Sequence, residues 1–218
     1  MKRFGSAISG VCGLALVASG PVACSDDAPS GPTPGVATVA FTPKPVALPY
    51  IVLDRAQVQL DRVLVIGNMP PPPPPGEPLP DRPPPPDRPP PLPDVSLDAL
   101  SSAGASASFE DLPQGLYSRV RFTLGRMSLE GKARGTVFNV SIAPFSVIVD
   151  VRASVPQELG LDRDINFPVS VDPNTWFPPY LFEGAMLDNR GEIVCDDVSN
   201  PQIGATIIQA MTRSFSLP

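Results

Sequence analysis

Three groups of residues in this 218-residue chain have types and spacings that could do chemistry. Asp162 and Asp164, with Glu158 or Asp150 nearby, could supply the acid and nucleophile of a glycosidase, which needs two carboxyls about 5 to 9 Å apart. Alternate residues on one strand meet that spacing, but so do many exposed pairs, and nothing in the sequence raises one pKa above the other. Asp188-Asn189-Arg190-Gly191-Glu192, with Asp196 and Asp197 close behind, gathers oxygen ligands that calcium could use. Its register lacks the alternate acidic or amide groups that an EF-hand loop places ahead of its Gly. A hairpin turn at Asn189-Arg190-Gly191, followed by a short strand Glu192 to Cys195, explains the same residues with less. Trp176, Phe177 and Tyr180, between Pro173 and Pro178-Pro179, could present an aromatic platform to a sugar ring, or be buried under a loop.

The composition closes many other routes. The chain has no His, so it cannot build a Ser-His-Asp or Cys-His nucleophile, a His-ligated zinc or a His proton shuttle. It carries no G-x-G-x-x-G, no G-x-x-x-x-G-K-[ST], no G-x-S-x-G and no Cys pair at metal-ligand spacing. With 16 basic against 22 acidic residues it also lacks the positive surface that non-specific nucleic-acid binding requires. No catalytic residue, metal site or cofactor is therefore expected, and the chain reads as a non-enzyme.

The N-terminus reads as a targeting segment. Lys2 and Arg3 precede an apolar stretch from Ala7 to Ala18, which is shorter than a membrane span of about 20 residues. Val22-Ala23-Cys24-Ser25 follows, with Pro21 where a lipobox usually has Leu, and this run resembles a bacterial lipoprotein signal. The resemblance implies a signal peptide over 1–23 and acylation of Cys24. Ser25 in place of Asp resembles the pattern for outer-membrane rather than inner-membrane retention. Ordinary signal-peptidase cleavage near the same place is the alternative. Processing before Cys24 would leave 14 basic against 22 acidic residues, and Cys195 as the one remaining thiol, expected to be a small buried apolar residue.

Beyond the anchor, residues 24–35 are rich in Ser, Asp, Pro and Gly without apolar periodicity and are expected to form a flexible tether. A single domain over 36–218 follows. Between Pro70 and Pro93, 16 of 24 residues are Pro, so this insert lacks most backbone donors and cannot join a sheet. Strand-like segments on either side make it an elongated loop, expected to project away from the membrane. Short strands are predicted at Val36 to Phe41, Gln57 to Ile66, Val95 to Leu100, Thr136 to Ala143, Phe145 to Val151 and Asp164 to Val171. The slip of apolar phase from Val58 and Leu60 to Val63 and Val65 predicts a bulge or bend. A helix is predicted after Asn200, as a cap, and Pro201, with Ile203, Ile207, Ile208 and Met211 on one face. The fold class is thus all-β, an antiparallel β-sandwich with a proline-rich loop insert and a C-terminal helix.

The strongest local motif is architectural. Leu112-Pro113-Gln114-Gly115-Leu116-Tyr117 makes a turn that feeds a strand, and a Tyr so placed can return its hydroxyl to upstream backbone as a tyrosine corner. With Arg121, the pattern resembles the Gly-x-Tyr-x-x-x-Arg strand of an uncharacterised immunoglobulin-like domain of bacterial surface lipoproteins. Related turns occur in prealbumin-like sandwiches. The resemblance implies a fold and a location at the cell envelope, facing the periplasm or the outside, and transfers no catalytic residue. The expected role is that of a lipid-anchored envelope protein, structural or interacting with a protein or glycan partner. The alternative is a carbohydrate-binding or calcium-dependent adhesion module.

Overall fold

The computed structural model of the protein describes residues 33–67, 92–142 and 145–218. The expected signal peptide, Cys24, the tether up to residue 32, the insert from 68 to 91 and Pro144 lie outside the described residues. Among the described residues, ten strands and one α-helix run in the order β1 (Ala37–Pro43), β2 (Ile51–Gly67), β3 (Val95–Asp98), β4 (Ala105–Phe109), β5 (Gly115–Ala133), β6 (Thr136–Ile142), β7 (Val147–Leu159), β8 (Ile165–Val171), β9 (Ile193–Cys195), α1 (Pro201–Thr212) and β10 (Phe215–Ser216). A smaller sheet has the order β10-β8-β1-β4, and a larger one β3-β2-β5-β6-β9, with β7 also paired to β5.

β5 organises the larger sheet. Its alternation buries Tyr117, Val120, Phe122, Leu124, Met127 and Leu129 on one face, as a half-buried strand requires. β2 pairs along nearly the whole of its other side. β7 takes its first half, from Gly115 to Leu124, and β6 its second, from Met127 to Ala133. The change of partner falls where the buried positions slip phase, across Gly125 and Arg126. The bulge expected in β2 is present: the register with β5 shifts between Val58 and Leu60 and again between Asp61 and Leu64, with Arg62 at φ +52°. The two sheets meet ring to ring, since Phe122 of β5 packs edge-on against Phe41 of β1 at 5.3 Å and Phe215 of β10 at 4.9 Å.

The molecule has two distinct ends. At one, here called the base, the chain enters at Thr33, β5 begins, β7 ends and β8 begins. At the other, the tip, β1 ends, β2 begins and β5 turns into β6. This polarity corrects the expectation of purely antiparallel pairing. β1 and β8 both leave the base, so they pair in parallel. β6 and β9 likewise pair in parallel, because β9 follows a loop anchored at the tip. β2 runs from tip to base, and its last residue, Gly67, lies beside Tyr117, at the end at which the chain enters. Pro93, just ahead of β3, accepts at its carbonyl from Val63 N.

The domain begins slightly before the expected Val36. Thr33 N donates to Asp162 Oδ1 at 3.0 Å, Pro34 bridges to Leu161, and Val36 N donates to Asp164 Oδ1 at 2.7 Å. Gly35 lies against the carbonyls of Arg163 and Gly160 so closely that a Cβ has no room. Among the described residues, no helix is long and apolar enough to cross a membrane.

α1 forms where the sequence predicts, burying Ile203, Ile207 and Met211, but Asn200 does not cap it in the expected way. Its backbone is left-handed at φ +49°, a conformation Asn tolerates, and its side chain makes no capping bond. Instead Nδ2 donates to the carbonyls of Met186 and Val194, while Oδ1 accepts from Met186 N. Asn200 therefore ties the loop before β9 to the start of α1.

Two substitutions test these fastenings. Tyr117 buries its ring and donates its hydroxyl to Pro113 O at 2.5 Å, forming the predicted corner, and burial raises its pKa. Tyr117→Phe should lower the unfolding free energy by about 1–2 kcal/mol, read as a shift of the urea midpoint at unchanged slope. Asn200→Ala, which orphans three backbone partners, should cost about 2–3 kcal/mol by the same measurement.

Candidate functional site

The tip is assembled from three stretches far apart in sequence. Tyr50 precedes β2, Arg134 and Gly135 make the two-residue turn between β5 and β6, and Tyr180 and Glu183 lie in the loop after β8. The turn has φ of +50° and +89° at its central residues, the geometry that matches the twist of paired strands. Arg134 N donates to Tyr50 O at 2.9 Å, fixing the two segments together. The Arg134 guanidinium lies over the ring of Tyr50, at 5.5 Å from its centroid, and over that of Tyr180, at 6.0 Å. It also pairs with Glu183 Oε1 at 3.3 Å.

Both rings face solvent: Tyr50 is 67% and Tyr180 69% exposed. Tyr180 has φ +67°, a strained conformation for a bulky residue, and strain of this kind gathers at functional sites. Exposed cation–π contacts and exposed ion pairs each contribute under about 1 kcal/mol, so the cluster adds little to stability. Beside it, at Pro49 and Ile51, begins a shallow groove of about 550 Å³ lined also by Val46, Leu48, Val52 and Leu100. Exposed Val52 and Leu100 extend the apolar surface.

The aromatic platform expected from Trp176, Phe177 and Tyr180 is not formed as such. Trp176 is fully buried, and its Nε1 donates to Ser214 Oγ at 2.9 Å, which passes a bond on to Met211 O. Phe177 is buried with Phe138 and Phe182 at centroid distances of 6.0 and 6.3 Å. These two rings belong to the core because the 3₁₀ turn Pro173–Thr175 folds the chain inward, with Asn174 bonded to Pro45 O and Ala47 N. Of the three, Tyr180 alone reaches the surface, where it shares the Arg134 guanidinium with Tyr50. No local signal marks those two, which lie 130 and 46 residues away along the chain.

The carboxylates are occupied elsewhere. Asp162 and Asp164 hold the backbone of the entering chain, Asp150 pairs with Arg121 at 2.6 Å, and Glu158 with Arg163 at 2.6 Å. The acidic cluster after Met186 is built as turns. Asp188 Oδ1 accepts from Arg190 N and Glu192 N, and Asp196 Oδ1 from Val198 N and Ser199 N. The expected hairpin is present, with Leu187 bridged to Ile193 and the short strand β9 following. Among the described residues, no group of three or more His, Cys, Asp or Glu is arranged to hold a metal ion. Cys195 is buried in β9, and burial, helped by Asp196, pushes its thiol up to about 11, so it is a poor nucleophile.

A second surface depression, about 630 Å³, lies on the outer face of the smaller sheet among Thr38, Ala40, Thr42, Ser106 and Asn166. It offers small neutral groups and Asp164, already engaged. The tip is therefore the candidate site: it combines exposed rings, a cation and an anion held in place. Neither a protein-family model, nor a curated protein, nor a solved structure matches this chain.

The turn carboxylates give a pH signature. Backbone hydrogen bonds from Glu192 and Arg190 hold Asp188 below its usual 3.8, and those from Ser199 and Val198 do the same for Asp196. Burial works to raise Asp172, but hydrogen bonds from Lys44 and Asn174 outweigh it, so it too is lowered. Folded pKa values below unfolded ones mean that the unfolded chain binds more protons in acid. Thermal stability should therefore hold level between about pH 5 and 8 and fall as the pH drops through 4 and below, and Asp188→Asn should flatten part of that fall.

Proposed function

We propose that the chain is a non-enzymatic, lipid-anchored protein of the cell envelope, tied by acylated Cys24 and acting through an interaction at its tip. On this reading the two sheets form a β-sandwich of the immunoglobulin-like or prealbumin-like kind. The inward alternation of β1 and β5, the Phe41–Phe122–Phe215 contact and the Tyr117 corner support it.

One observation carries the functional reading: the chain enters at the base, and the exposed aromatic cluster lies at the other end of the long strand β5. Eight residues lie between Cys24 and Thr33, so the two are at most about 32 Å apart. An anchor there would hold the base toward the bilayer and turn the tip outward. More than one acyl chain on the Cys would make the attachment firm, at about 0.8 kcal/mol per buried methylene. The tip is open rather than a cavity, which suits a polymer or protein surface more than a small substrate.

Metabolic labelling with a fatty-acid analogue tests the anchor. Label should enter the native chain and fractionate with the outer membrane, and Cys24→Ser should lose both. A native chain found in the cytosol with Met1 intact would overturn the reading.

A further inference from the structure

We infer that the outward face of the larger sheet, in the half nearer the base, binds a phosphate monoester carried on a sugar, through Arg119, Arg121 and Arg152. This site is separate from the tip, and depends neither on the tip being an interface nor on the lipid anchor. The alternation of three paired strands builds it. In β5, Arg119, Arg121 and Thr123 alternate with buried Val120, Phe122 and Leu124, so they face away from the core. Leu64 and Ile66 do the same in β2, and Ile148, Asp150 and Arg152 in β7. Register then lines them up: Ile66, Arg119 and Arg152 form one row across the sheet, and Leu64, Arg121 and Asp150 the next. Opposed residues on paired strands have Cβ atoms about 4.5–5.5 Å apart, and alternate residues along a strand are about 7 Å apart. Three guanidinium-bearing residues therefore share one small patch.

One carboxylate is set among them. Asp150 Oδ2 accepts from Arg121 Nη2 at 2.6 Å and from its Nε at 3.1 Å. The same oxygen lies 3.9 Å from Arg119 Nη1, too far for a hydrogen bond. Among the described residues Arg152 makes no ion pair, and nearby Glu158 is taken by Arg163. Asp150 thus neutralises one arginine of the three, and the patch stays positive in a chain whose net charge is −6. Arg119 and Arg152 stand directly opposite each other, and like charges so placed repel at a cost in stability. An anion between the two guanidinium groups removes that repulsion.

The chemistry of the patch selects the anion. A phosphate monoester carries close to two negative charges near neutral pH and three acceptor oxygens, whereas a carboxylate carries one charge and would balance only one of the two guanidinium groups. The planar fork of Arg also matches phosphate oxygens two at a time. The flanks select what bears the phosphate. Half-buried Leu64 and Ile66 border the arginines on the β2 side, and exposed Ile148 borders Asp150 on β7. These are short apolar strips on an open face, and they suit the C–H face of a sugar. A nucleobase would call for an aromatic ring to stack on, and no residue of these rows is aromatic. An acyl chain would call for an enclosed apolar groove.

The test titrates the chain, unlipidated through Cys24→Ser, with glucose 6-phosphate as probe. Saturable amide shifts at Arg119, Arg121 and Arg152 are expected, with affinity falling several-fold between about 50 and 200 mM NaCl as screening rises. Glucose and glucuronate should bind at least tenfold more weakly, and inorganic phosphate several-fold more weakly. Arg119→Gln and Arg152→Gln should each weaken binding at least tenfold. Because it relieves the repulsion, Arg152→Gln should also raise the melting temperature of the free chain by about 1–3 °C, which separates lost binding from lost folding. Lys132→Gln, farther along β5, and Tyr50→Ala, at the tip, should bind as the parent does, so a failed tip and a failed arginine patch give different results. The proposal is overturned by no saturable shift up to millimolar probe, by shifts elsewhere, or by arginine variants that bind as well as the parent. It is overturned equally if inorganic phosphate binds as tightly as the sugar phosphate, an adventitious ion only, or if vesicles containing phosphatidic acid bind where glucose 6-phosphate does not. An Arg152→Gln chain that loses melting temperature and binding together would also overturn it.

Discussion

The structure depends on burying the inward face of β5 against the smaller sheet. Phe122 lies at the centre of that contact, edge-on to Phe41 from β1 and Phe215 from β10. Because β2, β6 and β7 all pair to β5, any loosening there would release the whole larger sheet from the smaller one. Aromatic residues of this size typically account for about 3–5 kcal/mol each in a core, a large part of the 5–15 kcal/mol that stabilises an ordinary domain. Among the described residues, Cys195 is a lone buried thiol, so packing carries this load without a disulfide between them.

That same strand separates the two ends and so divides labour between them. At the base, Asp162 and Asp164 are spent on backbone N–H groups of the entering chain, and Tyr117 on the Pro113 carbonyl. These groups are satisfied by the protein itself and have little left to offer a ligand. At the tip, the rings of Tyr50 and Tyr180 and the charges of Arg134 and Glu183 are held by weak, exposed contacts. Groups that are organised yet contribute little to stability are the ones free to serve recognition.

Local patterns were legible wherever neighbouring residues decide the outcome. Alternation located β1, β6 and β8, the phase slip located the bulge in β2, and Pro201 with the spacing of Ile203, Ile207 and Met211 located α1. The Pro-Gly turn into Tyr117 even specified a hydrogen-bond partner. Asn200 was misread because its side chain had two possible uses, a cap or a tie to Met186 and Val194. Only the position of a loop fourteen residues upstream chose between them.

By itself, then, the amino-acid order determined that the chain is mostly β, which faces of its strands are apolar, and which chemistries a protein without histidine cannot perform. These follow from side-chain type and from periodicities that the backbone imposes residue by residue. Tertiary structure alone decided that β1 pairs in parallel with β8, that Trp176 and Phe177 go inward while Tyr180 goes outward, and that Tyr180 and Tyr50 share the Arg134 guanidinium. The reason is that strand direction, and the company each side chain keeps, depend on which end of the sheets a connection crosses. No short window of sequence contains that information.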